Sequence, residues 1–214
     1  MGAWIGRLRR GACAALLAAG TALPAAAAPE DDFKEALRLY HLGDMVGAME
    51  KLRPAADCGH APSMALLADV LDQSGFVDEA ATLYRRAADK NDPDGQYGLA
   101  SMMLSGRGMP RDEARGYALL ESAARTGHVL SVNAVAQAYM TGSLGRKQVT
   151  ANTPEGLPWV EKSAANNFLP AIDFLAKGWR SGSLGGPDLK KAEAYEKQAD
   201  QVRYQGKPPP RRKK

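Results

Sequence analysis

A pair of small residues returns along this chain at intervals that a single globular core would not impose. Ala55-Ala56, Ala87-Ala88, Ala123-Ala124 and Ala164-Ala165 are spaced by 32, 36 and 41 residues, and Gln198-Ala199 follows at a comparable distance. Self-similarity at this period marks a solenoid, in which each unit cannot bury its own apolar face and must stack on its neighbours. Such a stack presents a long surface suited to holding another molecule.

The clearest unit runs from Gly95 to His128. Leu99-Ala100 and Met103 fall at i, i+1 and i+4 of a first helix. Gly106-Arg107-Gly108-Met109-Pro110 breaks it, because glycine takes the positive φ of a helix end and proline cannot continue a helix. Asp112-Glu113 then sets negative charge at the start of a second helix, where the macrodipole favours it. Ala114, Tyr117, Leu120 and Ala123-Ala124 give that helix one apolar face, and Thr126-Gly127-His128 ends it. In the second unit Leu67-Ala68-Leu71, Gly75, Ala80, Tyr84 and Ala87-Ala88 take the equivalent places. The fourth has Val135-Ala136, Tyr139, Gly142 and, after a longer loop over Arg146–Pro158, Trp159 and Ala164-Ala165. The fifth has Leu175-Ala176, Trp179, Gly182, Ala192, Tyr195 and Ala199, and the degenerate first has Ala36, Leu39, Gly43-Asp44, Ala48, Leu52 and Ala55.

The second unit resembles a tetratricopeptide repeat, through Ala68, Gly75, Ala80, Tyr84 and Ala87. The third, fourth and fifth resemble Sel1-like repeats, a longer version with a glycine-rich loop between the helices. Leu99-Ala100, Gly106-x-Gly108, Asp112, Ala114 and Ala123-Ala124-x-x-Gly127-His128 carry that match in the third unit. The resemblance covers roughly residues 31–204 and implies an all-α fold, a right-handed α-solenoid of about five helix-hairpin repeats. It further implies a non-enzymatic adaptor that binds a protein or peptide along its concave face, since secreted bacterial members act mostly in envelope assembly, host contact or signalling. One cysteine-rich branch is linked to β-lactam binding or hydrolysis, which keeps a cell-wall or β-lactam-related enzyme as an alternative. This chain lacks that branch's cysteine in each repeat.

The ends differ from the body. Residues 1–27 have the layout of a secretory signal peptide: Arg7, Arg9 and Arg10, a short apolar stretch from Gly11 to Leu23, and small residues up to a cut near Ala27. The stretch is too short to span a bilayer. A periplasmic or secreted location follows as an expectation, with a retained anchor as the alternative. The repeat domain is placed at 28–205 and a Pro-rich basic tail without packed structure at 206–214. Of 28 Lys and Arg, three precede residue 28 and five lie in the last eight residues, leaving 20 against 24 acids, or −4 for the body. Nucleic acid is therefore not an expected partner. The tail is a candidate for weak contact with an anionic membrane or polysaccharide. Cys58, left alone if Cys13 departs with the signal, is read as a small buried residue or as one half of an intermolecular bridge.

No catalytic constellation emerges, and no cofactor or metal is expected. His41, His60 and His128 are far apart, and Cys58-Gly59-His60 supplies too few ligands for zinc. Gly-x-Ser-x-Gly, Walker and dinucleotide motifs are absent. Paired acids such as Asp31-Asp32 and Asp78-Glu79 sit where helices begin. Tyr84, Tyr117, Trp159 and Tyr195 fall on apolar faces of second helices, and Tyr139 and Trp179 at packing positions of first helices. Tyr97, whose counterparts are Ala65, Asn133 and Asp173, is assigned to the surface.

A contact face is read from the first helices. With Leu67, Leu99, Val135 and Leu175 pointing into the stack, the positions two before and two after each lie on the open side. They are Ala65 and Asp69, Tyr97 and Ser101, Asn133 and Gln137, Asp173 and Lys177. Two readings stay open: a plain solvated face, or a shallow groove with Tyr97 as aromatic anchor among polar groups, the contact passing to the Arg146–Pro158 loop if neither Tyr97 nor Lys177 takes part.

Overall fold

The computed structural model describes residues 29–143 and 153–204. Residues 1–28, which include the expected signal peptide, residues 144–152, which include part of the longer loop, and residues 205–214 lie outside them. Among the described residues there are ten helices and no strand. In chain order they are α1 (Pro29–His41), α2 (Met45–Asp57), α3 (Ala61–Gln73), α4 (Val77–Ala88), α5 (Pro93–Ser105), α6 (Glu113–Arg125), α7 (Val129–Thr141), α8 (Gly156–Ala165), α9 (Leu169–Ser181) and α10 (Leu189–Tyr204). They form successive helix hairpins of an all-α solenoid. The described residues divide into two compact units, one ending at Gly98 and the other beginning at Leu99, inside α5.

In the first unit α1 packs on α2, α2 on α3, α3 on α4, and α1 also meets α3. Its core is small at the helix contacts and larger between them: Ala48, Ala56, Ala68, Ala80 and Ala87 have no exposed surface, and Leu52, Met64 and Leu71 fill the space around them. In the second unit α6 through α10 pack consecutively, and α7 also meets α9. Val132, Val135, Val160, Ile172 and Leu175 are fully buried there. Small residues at fixed helix positions allow the close backbone approach such packing needs.

The link between repeats is built the same way each time. Four residues after the first member of the small pair the backbone turns left-handed, at Gly59 (φ 89°), Asn91 (61°), Gly127 (95°) and Asn167 (60°). Glycine, or asparagine at modest cost, adopts that conformation. His60, His128 and Phe168 follow directly as the N-terminal caps of α3, α7 and α9. The ring Nδ1 of His60 lies 2.8 Å from the Ser63 hydroxyl, and that of His128 lies 2.8 Å from Ser131. The shared Gly-His dipeptide thus serves a turn and a cap.

The turn corrects one sequence assignment. Counting back four residues from Asn167 makes Ser163-Ala164, not Ala164-Ala165, the small pair of the fourth repeat. Ser163 and Ala164 are buried and Ala165 is exposed. The intervals become 32, 36 and 40 residues. In this register, the residue just before the pair reaches back to the preceding second helix. Arg86 Nη2 donates to the Ala56 carbonyl at 3.1 Å, Lys162 Nζ to Ala124 at 3.1 Å, and Gln198 Nε2 to Ala164 at 2.8 Å.

Other expectations are also revised. Tyr84, Tyr139 and Trp179 are buried, but Tyr117, Trp159 and Tyr195 are half-buried. Trp159 lies near the start of the short helix α8, with the Lys162 ammonium 5.4 Å from its ring centre. Cys58 is exposed, because it follows the last turn of α2 as its C-cap, and it is disulfide-bonded rather than a free thiol. The one other cysteine in the sequence, Cys13, lies outside the described residues.

Gly95 marks a close approach of helix to backbone. A Cβ there would collide with the Cβ of Ala87 and sit 2.9 Å from the Ala88 backbone nitrogen. Alanine would gain about 1 kcal/mol of helix propensity over glycine, yet forcing backbone apart in a packed contact costs about 1–3 kcal/mol. Gly95→Ala is expected to lower the urea midpoint of unfolding. An unchanged or raised midpoint would show that α5 can shift away from α4 freely.

Candidate functional site

The face formed by first helices can be followed in each unit. In the first, Asp69 on α3 is half-buried and bonded across to α1. The Tyr40 hydroxyl donates to Asp69 Oδ2 at 2.7 Å, and Gln73 Nε2 donates to the same oxygen at 2.8 Å and to the Tyr40 oxygen at 3.0 Å. These bonds draw α1 and α3 together. Ala65, expected on the open side, is buried, because a side chain this small lets the neighbouring helix cover it. Tyr97 is half-buried rather than fully at the surface.

In the second unit, α7 and α9 leave a groove of about 340 Å³ between them. Gln137 and Met140 line it from α7, and Pro170, Asp173, Phe174 and Lys177 from α9. The α9 residues fall at i, i+3, i+4 and i+7, the spacing of one helical face. Gln137 and Lys177 are exposed at the groove, and Lys177 has no ion pair among the described residues. Asp173 is half-buried, and its carboxylate accepts from Arg203 of α10.

The face positions therefore divide. The structure brings Gln137, Asp173 and Lys177 into one groove. Asn133 is directed to α8, where its Oδ1 accepts from the Ser163 hydroxyl at 2.7 Å. Ser101 is exposed on α5 outside the groove lining. Sequence reasoning missed Met140, Pro170 and Phe174. Phe174 was hidden by its place directly before the Leu175-Ala176 core pair, although its spacing from Pro170 and Lys177 was the available signal.

The groove offers an amide, an ammonium and an apolar floor. Groups of this kind are suited to holding a ligand. Among the described residues no group of three or more His, Cys, Asp or Glu is placed to hold a metal, and no helix is long and apolar enough to cross a membrane.

The Sel1 repeat profile matches residues 77–92, 93–128 and 130–168. The chain carries Sel1 repeats. Solved structures with the same fold include a Sel1 repeat protein from Oxalobacter formigenes, 22% identical with a TM-score of 0.68, over 80% of this chain and 72% of that one. A putative Sel1 repeat protein from Klebsiella pneumoniae is 19% identical with a TM-score of 0.58, over 83% and 91%. A protective antigen of uropathogenic Escherichia coli, also of this repeat fold, is 19% identical with a TM-score of 0.50, over 84% and 47%. No curated protein sequence matches the chain. The profile's Sel1 boundary at residue 128 coincides with the His128 cap. Proteins of the Sel1 type are generally non-enzymatic interaction scaffolds.

The first unit carries a titration signature beside this closed face. Burial first, then the charges of Asp69 and Asp72, hold the Tyr84 hydroxyl well above the ordinary tyrosine range, and its bond to Asp69 raises Tyr40 as well. The unfolded chain ionises near pH 10 while Tyr84 in the fold stays neutral. The Tyr84 contribution to stability is thus fully present below about pH 10 and falls above it, by up to about 1.4 kcal/mol per pH unit. Tyr84→Phe should flatten that decline in alkaline urea titrations. An identical slope in the variant would assign the loss to other groups.

Proposed function

We propose that this protein is an adaptor that binds an extended segment of a partner protein along its first helices, with the α7–α9 groove as the principal contact. The observation that carries the reading is the groove itself. Gln137, Phe174 and Lys177 point their chemistry toward an open space, whereas the matching residue of the first unit, Asp69, is spent on Tyr40 and Gln73. An aromatic and a methionine beside adaptable polar groups is a composition that recognition surfaces favour.

The working site is the bacterial envelope. That location rests on the basic, apolar and small-residue layout of residues 1–27. Cleavage near Ala27 would remove Cys13 and leave Cys58 without its only possible partner in the chain. Intact mass of the protein recovered from periplasm would show which arrangement the exported chain has. A product retaining residue 1 would end the cleavage reading. The basic tail at 206–214 adds a secondary, salt-sensitive contact with anionic surfaces.

Peptides selected by display on the full chain test the contact site. Phe174→Ala should weaken the selected peptides by about tenfold or more, as truncation of an interface anchor does, with helicity and melting temperature unchanged. Tyr97→Ala reports on the first unit in parallel. Peptides that bind both variants at full strength would move the contact off the first helices.

A further inference from the structure

The groove has a local charge opposite to that of the body around it. Residues 28–206 sum to −4. Within the groove, the Asp173 carboxylate is neutralised by Arg203, while Lys177 is exposed and has no ion pair among the described residues. Gln137, the remaining polar lining residue, is neutral. One unopposed ammonium therefore stands beside an apolar floor of Met140, Pro170 and Phe174.

The spacing limits what can meet both features. Phe174 and Lys177 are three residues apart on one helix, a rise of about 4.5 Å. An extended peptide advances about 3.3 Å per residue. A bulky apolar side chain seated on Phe174 and Met140 thus sets a carboxylate one or two residues away within reach of Lys177.

We propose that the α7–α9 groove selects an extended peptide segment carrying a large apolar residue followed within two positions by an aspartate or glutamate. This rests on the groove being the contact site. The field of residues 28–206 favours basic ligands and the basic tail at 206–214 favours acidic ones, so a merely electrostatic attachment is told apart from the proposal by its persistence in the Lys177 variants.

The test uses the full chain and three fluorescein-labelled hexapeptides: Gly-Ser-Leu-Glu-Glu-Gly, the same with lysine for both glutamates, and the same with alanine for leucine. Anisotropy at physiological salt should show the first binding at least tenfold more tightly than either of the others. Lys177→Glu should reverse the order of the glutamate and lysine peptides, and Lys177→Gln should bring them close to equal. Circular dichroism of both variants should match the parent, since Lys177 is exposed.

A lysine peptide that binds the parent as well as the glutamate peptide overturns the proposal. So does a glutamate peptide unaffected by Lys177→Glu. If amide resonances of α7 and α9 shift with every peptide irrespective of charge, the groove binds peptides but without this preference. If none of the three shifts them, the contact-site reading itself fails. Self-association by sedimentation that disappears in Lys177→Glu would assign the groove to a second copy of the chain and also overturn the proposal.

Discussion

The hydrogen bond from one second helix to the end of the one before it organises this stack. A helix leaves its last four carbonyls without intrahelical partners. Here the carbonyls of Ala56, Ala124 and Ala164 accept from the turn amides of Gly59, Gly127 and Asn167, and Arg86, Lys162 and Gln198 each add a second bond from the next second helix. The bond requires close helices, which is why the pair it addresses must be small. Two of the three donors are cations, which a helix C-terminus also favours. With second helices held in this way, first helices become neighbours, as α1 and α3 do in one unit and α7 and α9 in the other.

Much of this was legible before any coordinates. Periodic alanines, Gly106 and Asp112 located a helix, its stop and the next start. Gly106 indeed has a positive φ of 72°, and Asp112 caps α6 by accepting from the Arg115 amide at 3.0 Å. The miss at Ala164-Ala165 has a simple physical origin. Alanines do not distinguish one register from the next, whereas the left-handed residue does, and in this repeat it is Asn167 rather than a glycine. Cys58 was misplaced because cysteine's usual burial was weighed above its position just past a helix end.

The contact face was legible in part. Counting two residues either way from a core leucine found Gln137, Asp173 and Lys177. It could not reveal that Asn133 and Asp173 would turn toward the second helix of their own hairpin. Nor could it reveal Phe174, which directly precedes the core residue that was used as the reference. Periodicity identifies which residues leave the core, but partners are set by distances between helices that the pattern does not contain. Asp69, Gln137 and Lys177 occupy one repeat position with three different outcomes, so a single position can close one repeat and open another.

The corrected register has a further consequence for how this architecture tolerates change. From the first residue of each small pair to the start of the next first helix is six residues, whether the pair begins at Ala55, Ala87, Ala123 or Ser163. The first helices α3, α5, α7 and α9 each have 13 residues. Successive pairs nevertheless lie 32, 36, 40 and 36 residues apart. All of the difference falls within the hairpin, between the end of its first helix and the pair in its second, and the intervals differ in steps of four residues, close to one helical turn. The joint between repeats thus behaves as a fixed hinge pin, and the opposite edge as a free margin. Along that margin sequence can be inserted or removed without changing the stacking register.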